Sequence, residues 1–140
     1  MTQRIRTSAI VVHNNHILTF FAVDPSNNLE YHFLPGGKIE KNETAPEAAI
    51  RETFEETGYE ITIETATALD KQYPFHWNSE DYLSLTIFYR GYLKNPFQKP
   101  TKVSDAEYNK EVRWIPISKV NEIFNYCQEI KEAVLEITQS

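Results

Sequence analysis

Cysteine is nearly absent. Cys127 is the only one in 140 residues, which excludes an intramolecular disulfide and a cysteine-based zinc site and fits a reducing, cytoplasmic setting. No run approaches the roughly 20 apolar residues that a membrane helix needs, and there is no internal repeat or low-complexity tract. Met1-Thr2-Gln3-Arg4 leads into a strand-like pattern without a cleavable hydrophobic stretch, so the chain is expected to begin near its native start. Basic residues are outnumbered, 14 against 20 acidic, and the net charge of −6 argues against capture of nucleic-acid polymers or anionic membranes. The histidines, His13, His16, His32 and His76, show no zinc spacing. Apolar matter is not scarce: 41% hydrophobic and 13% aromatic residues suffice for a core.

The β-branched run Thr7–Val12, the break at His13-Asn14-Asn15 and the apolar stretch His16–Val23 read as a hairpin. Asp24-Pro25-Ser26-Asn27-Asn28 collects turn formers, and Tyr31–Leu34 is a short strand ended by Pro35-Gly36-Gly37. Thr44-Ala45-Pro46-Glu47 is a capping box, so a helix is expected over Ala45–Thr57, closed by Gly58 in a left-handed cap. Strands are expected over Tyr59–Ala68, Tyr82–Leu93 and Val112–Ile117, with a polar linker from Lys94 to Lys110. Ser118 can cap a last helix whose stripe Val120, Ile123, Phe124, Cys127, Ile130, Val134 and Ile137 faces the core. This order predicts an α+β or α/β sandwich with helices on a mixed sheet.

Chemistry concentrates on the first helix. At about 100° per residue, Glu56 lies about 40° and Glu55 about 60° from Glu52, on either side of it. The three carboxylates therefore share one face, expected to point outward, while Ile50, Thr53, Phe54 and Thr57 fall opposite and are expected to pack inward. Such crowding costs stability unless a cation relieves it, although a merely solvated acidic face shows the same pattern. Arg51 can neutralise Glu47 one turn earlier or reach Glu43, leaving the acidic face clear. Gly36 and Gly37 let the backbone approach a ligand closely.

The spacing Gly37-x5-Glu43-x7-Arg51-Glu52-x2-Glu55-Glu56-x-Gly58 resembles the signature of the Nudix hydrolase family, to which MutT-like proteins belong. Seven fixed identities at usages of roughly 6–7% each coincide by chance in so short a chain about once in a million. Thr53 and Tyr59 depart from the aliphatic residues usual at two packing positions of the signature. The resemblance extends to Phe33-Leu34-Pro35-Gly36-Gly37 and to Glu111–Pro116, and implies one domain over residues 1–140: an α+β fold, the α/β/α sandwich with a mixed sheet.

It also implies hydrolysis of a nucleoside diphosphate linked to another moiety, with Mg²⁺ or Mn²⁺ as the cofactor. Glu55 and Glu56 would be principal metal ligands, Glu52 a ligand or general base, and the Gly36 carbonyl a further ligand, while Arg51 and Glu43 hold loop and helix in register. An additional acid is expected before the last strand, with Glu107 preferred over Asp105 and Glu111. The cluster Tyr73, Phe75, His76 and Trp77 either stacks on a base or fills core or a dimer contact; Phe75 and Trp77, with Gly37, are the substrate-contact candidates. The partner expected is a small soluble nucleotide (a triphosphate, damaged or intact, a dinucleoside polyphosphate or a nucleotide sugar) rather than an RNA end, and a homodimer is compatible with the resemblance. The alternative is a nucleotide- or ADP-ribose-sensing module that binds without turnover; retention of Glu52, Glu55 and Glu56 favours the enzyme.

Overall fold

The computed structural model describes residues 1–101 and 109–139, including every side chain in those spans except those of residues 109 and 110. Its first strand, β1 (Thr2–His13), carries three consecutive fully buried residues whose side chains enter two different cores. Ala9 and Val11 join one apolar cluster and Ile10 the other, as strand alternation requires of a sheet covered on both faces. Ile17 and Leu18 divide the same way on β2 (His16–Val23).

The chain continues through β3 (Glu30–Phe33), β4 (Gly36–Lys38), α1 (Ala45–Thr57), β5 (Ile61–Trp77), β6 (Glu80–Leu93) and β7 (Asn109–Pro116), then a 3-10 turn (Ile117–Lys119), α2 (Val120–Ile123) and α3 (Gln128–Thr138). The sheet runs β3-β2-β1-β6-β5, with β4 added to β1 and β7 to β2. β1 and β6 are parallel, from Thr2 opposite Tyr82 to Val11 opposite Gly91, and the other pairings are antiparallel. One core holds Ala49 of α1 with Leu18, Ile61 and Tyr89; the other holds Ile130, Val134 and Ile137 of α3 with Ile10, Ile17 and Phe88. The fold is thus the expected α+β, α/β/α sandwich on a mixed sheet.

The capping box forms as expected: Thr44 Oγ1 accepts from the Glu47 amide at 3.2 Å and Glu47 Oε1 from the Thr44 amide at 2.8 Å. Gly58 closes α1 at φ 79°, its amide donating to the Phe54 carbonyl at 2.9 Å. The buried face of α1 corrects the sequence reading. Ala48, Ala49, Thr53 and Thr57 are buried, whereas Ile50 is 37% exposed and Phe54 only half-buried. Small residues let the helix settle close to the sheet, and each threonine hydroxyl satisfies itself on the carbonyl four residues back, Thr53 on Ala49 at 2.7 Å and Thr57 on Thr53 at 2.6 Å. Thr53, unusual at its position in the signature, is therefore a small core residue here.

Three further readings are corrected. Gly36–Lys38 is not only a turn but pairs with Arg6–Ser8 of β1. β5 continues past Ala68 to Trp77, with a register shift between Glu64 and Leu69, and turns into β6 at Asn78 and Ser79, both at positive φ. The last apolar stripe is broken: Ser118 lies in the 3-10 turn without capping, and Cys127, extended at φ −151°, starts α3 instead of continuing one helix. The break places Tyr126 against Tyr31, Phe33 and Phe75, an aromatic contact that an unbroken helical register would not direct there.

A Cβ at Gly58 would lie 1.9 Å from the Lys99 carbonyl oxygen in addition to adopting a left-handed backbone. Gly58→Ala should therefore lower unfolding free energy by at least about 1–2 kcal/mol in urea titration; a loss under about 0.5 kcal/mol would show that the cap relaxes freely.

Candidate active site

α1 is laid so that Glu52 and Glu56, one turn apart, face the glycines of β4. The Gly36 amide donates to Glu56 Oε1 at 2.8 Å. Gly37 passes so close to Glu52 that an added Cβ would lie 2.7 Å from its carboxyl carbon. Two glycines thus allow the backbone to touch two carboxylates, the close approach that the sequence suggested.

Arg51 holds the arrangement. Its Nε donates to Glu43 Oε2 at 2.7 Å and Nη2 to Glu43 Oε1 at 3.1 Å, a bidentate fork. Nη2 also reaches the Lys38 carbonyl at 3.0 Å, and Nη1 reaches Glu52 at 2.9 Å and Glu55 at 3.2 Å. One guanidinium therefore ties together the end of β4, the following loop and the helix. The expectation that Arg51 leaves the acidic face clear is corrected, as is its pairing with Glu47, whose carboxylate is engaged in the capping box. The three acids do not all point outward either: Glu52 and Glu56 turn into the cleft, and Glu55 remains exposed against Arg51.

Electrostatics separates these groups. Hydrogen bonds from Arg51 and then the Glu40 amide hold the Glu43 carboxyl below its ordinary range. Burial pushes the Glu52 carboxyl up, against the Arg51 fork. Burial, followed by repulsion from Glu52, pushes Glu56 well above the usual range, only partly offset by the Gly36 amide and Arg6. Two neighbouring carboxyls that both resist ionisation are a seat for positive charge.

Among the described residues, no group of three or more His, Cys, Asp or Glu side chains is placed to hold a metal ion. Mg²⁺ asks less of a protein: it takes one or two carboxylates and completes its shell with water and phosphate. Glu52 and Glu56, raised in pKa and opening on the cleft, fit that donor set. Glu107 and Asp105 lie outside the described residues, and Glu111 is exposed and paired with Arg113.

The cleft encloses about 1190 Å³ between β1, β5, β6 and the segment before α3. Phe75 and Trp77 line it, as does Phe33, whose ring centroid is 5.9 Å from Phe75 and 5.2 Å from Trp77. Tyr73 also borders it but is buried, its hydroxyl 2.8 Å from Thr86 Oγ1, whereas His76 turns to Asp81 at 2.8 Å. Sequence reasoning missed Arg4, Arg6 and Tyr126, which also line the cleft. The alternation Arg4-Ile5-Arg6 ahead of a β-branched run was the available signal for the two arginines.

A sandwich that sets a glycine turn and a clamped acidic helix beside an aromatic cleft belongs to the class of Nudix pyrophosphohydrolases. The family model described as NUDIX domain matches residues 3–135, and the chain belongs to the Nudix hydrolase family. Similar solved structures include a C. elegans Ap4A hydrolase binary complex, with a TM-score of 0.71 at 15% identity over 97% of this chain and 96% of that one. The MutT protein from Methanosarcina mazei Go1 gives 0.65 at 19% identity over 99% and 94%. A UDP-X diphosphatase gives 0.61 at 15% identity over 99% of this chain and 64% of that one. No curated protein matches the sequence significantly.

The folded protein holds the Glu56 proton more tightly than the unfolded chain does. Glu56 therefore contributes most to the stability of the metal-free protein below the ordinary carboxyl value of 4.5, and that contribution falls as pH rises toward the raised folded value. Glu56→Gln keeps an acceptor for the Gly36 amide while removing this charge. Its urea midpoint without metal should exceed that of the unsubstituted protein at about pH 8 and converge with it at about pH 4. A lower midpoint at both pH values would contradict the assignment.

Proposed function

We propose that this protein hydrolyses a nucleoside diphosphate linked to another moiety, a phosphoric anhydride in a small soluble nucleotide, with Mg²⁺ or Mn²⁺ as cofactor. The observation that carries this reading is the Glu52–Glu56 pair, raised by burial, set against Gly36 and Gly37 and locked by the Arg51–Glu43 fork at the edge of an aromatic cleft. Glu52, Glu55, Glu56 and Gly36 would hold the cation, with Glu107 as a further ligand. Such an ion would neutralise charge on the phosphate oxygens and lower the pKa of bound water.

Within the chain, Arg51 and Glu43 keep helix and turn in register, so that the carboxylates meet the substrate in a fixed geometry. Glu52, either a ligand or the general base, would in the second role take a proton from the attacking water, because burial raises its carboxyl above the ordinary value. Gly37 flanks the phosphates, and Phe75 and Trp77 offer ring faces to a base. The names of two proteins of similar fold, an Ap4A hydrolase and a UDP-X diphosphatase, support a nucleotide derivative as the substrate. A single cysteine, Cys127, buried at the start of α3, suits a reducing cytoplasm, and among the described residues no helix is long and apolar enough to cross a membrane.

Phosphate release from a panel of nucleoside triphosphates, dinucleoside polyphosphates and nucleotide sugars, with and without Mg²⁺, tests the reading. Glu55→Gln combined with Glu56→Gln should reduce turnover at least about 100-fold with the circular dichroism spectrum unchanged, since even groups supporting a metal site are worth about 10–100-fold. Ligand binding with Mg²⁺ but no release from any member would support the sensing module instead.

A further inference from the structure

The N-terminal half of β1 alternates across the sheet, and Arg4, Arg6 and Ser8 share the face that lines the cleft, together with Glu52 and Glu56. Gly36 stands opposite Ser8 in the ladder, so Ser8 lies at the acidic end; Arg6 and Arg4 then step away from it, about 6.7 Å per pair of residues. Arg4 is fixed in place. Its Nε donates to Ser84 Oγ at 2.7 Å, and its guanidinium lies 4.1 Å from the Tyr82 ring centroid. Ser84 is directly opposite Arg4 in the parallel register with β6, so the strand pairing itself builds this anchor.

Neither arginine has a carboxylate within salt-bridge distance among the described residues, whereas Arg51 pairs with Glu43 and Arg113 with Glu111. In a chain with 20 acidic against 14 basic residues, two neighbouring unpaired arginines in one cleft run against the average charge. Arg4 is partly removed from water, and burial followed by the charge of Arg6 lowers its pKa to about 10, while Arg6 stands half-buried between Arg4 and the field of Glu52 and Glu56. A guanidinium does not relieve such a cost by losing its proton at neutral pH; it needs an anion, and its planar fork matches phosphate oxygens.

We propose that Arg4 and Arg6 form a second anion subsite, which takes a further phosphate of the substrate beyond the diphosphate whose bridge is cleaved at the Glu52–Glu56 end. This rests on the pyrophosphohydrolase reading above. The substrate then carries at least three phosphates: either one continuous polyphosphate chain, or a diphosphate plus a phosphate on the group it joins. Phe33, Phe75 and Trp77 remain available to an aromatic base beside the arginines.

Two measurements test the subsite. Calorimetric titration in saturating Mg²⁺ with the non-hydrolysable imido analogues of inorganic pyrophosphate and tripolyphosphate seats the diphosphate at the carboxylate end and requires no turnover. Arg4→Gln and Arg6→Gln should each weaken tripolyphosphate about 10- to 100-fold while changing pyrophosphate by less than about 3-fold. The Arg6 side chain makes no hydrogen bond to described residues, so its variant remains informative if loss of the Ser84 and Tyr82 contacts unfolds Arg4→Gln. Arg4→Lys, which keeps the charge without the fork, should recover part of the loss. Steady-state kinetics then locate the phosphate. A KM effect confined to nucleoside tri- and tetraphosphates relative to diphosphates assigns it to the chain, and one confined to ADP-ribose bearing a 2′-phosphate relative to ADP-ribose assigns it to the joined moiety. Equal weakening of both inorganic anions, no weakening, or a loss that follows base identity rather than phosphate number would overturn the proposal. If the unsubstituted protein hydrolyses nothing, the pyrophosphohydrolase reading fails, and the calorimetric contrast still decides the subsite.

Discussion

Two carboxyls one helical turn apart, pressed against a glycine backbone and resisting ionisation through burial and mutual repulsion, are the constraint around which this molecule is arranged. Nothing in the packing of a sandwich requires Glu52 and Glu56 to face one another there; apolar residues would serve the core better. The surrounding structure maintains the unfavourable juxtaposition. Arg51 joins three segments through one guanidinium, the threonine and alanine face of α1 lets the helix approach the sheet, and the Gly58 cap fixes where the helix ends. Each contact is ordinary, and their agreement on one geometry makes the acidic end rigid enough to receive a charged ligand without rearrangement.

The cleft extends from that end with a different character. Acids from α1, arginines from β1 and aromatic rings from β3 and β5 line it, so on the proposed reading a substrate would meet separate partners for a cation-bridged phosphate, a free anion and an apolar ring. Parallel pairing of β1 with β6 fixes where the arginines stand, because the register placing Arg4 against Ser84 also places Ser8 against Phe88. The two arginines of β1 stand beside the acids of α1, and the net charge of −6 says little about the local field in the cleft.

Local signals with fixed offsets were the most legible part of the sequence. Thr44, Glu47 and Gly58 define α1 to the residue, and the spacing put Glu52, Glu55 and Glu56 on one face with Arg51 in reach of Glu43, although Arg51 also binds Glu52 and keeps Glu55 outside the cleft. The inward face of the helix was read in part: Thr53 and Thr57 were expected inside and are buried, whereas Ile50 and Phe54 lie at its margin and Ala48 and Ala49 fill the contact with the sheet. The second half of β5 was missed since Asn78-Ser79 is a weaker hairpin sign than Asn-Gly, and the helix break at Tyr126 leaves no mark in an apolar stripe that continues at helical spacing through Cys127. The cleft arginines showed only as the alternation Arg4-Ile5-Arg6. The partners that fix Arg4, Ser84 and Tyr82, come from a strand some 80 residues away, a long-range pairing that no local pattern reveals.

The central claim is that the Glu52–Glu56 end is a cation seat. Titrating ¹⁵N-labelled protein with substoichiometric Mn²⁺ and following paramagnetic broadening of the amide resonances addresses it directly. Gly36, Gly37, Glu52 and Glu56 should broaden first, and Glu56→Gln should remove that selectivity. Broadening that begins instead at exposed acids such as Glu122, or that is unchanged in Glu56→Gln, would contradict the account.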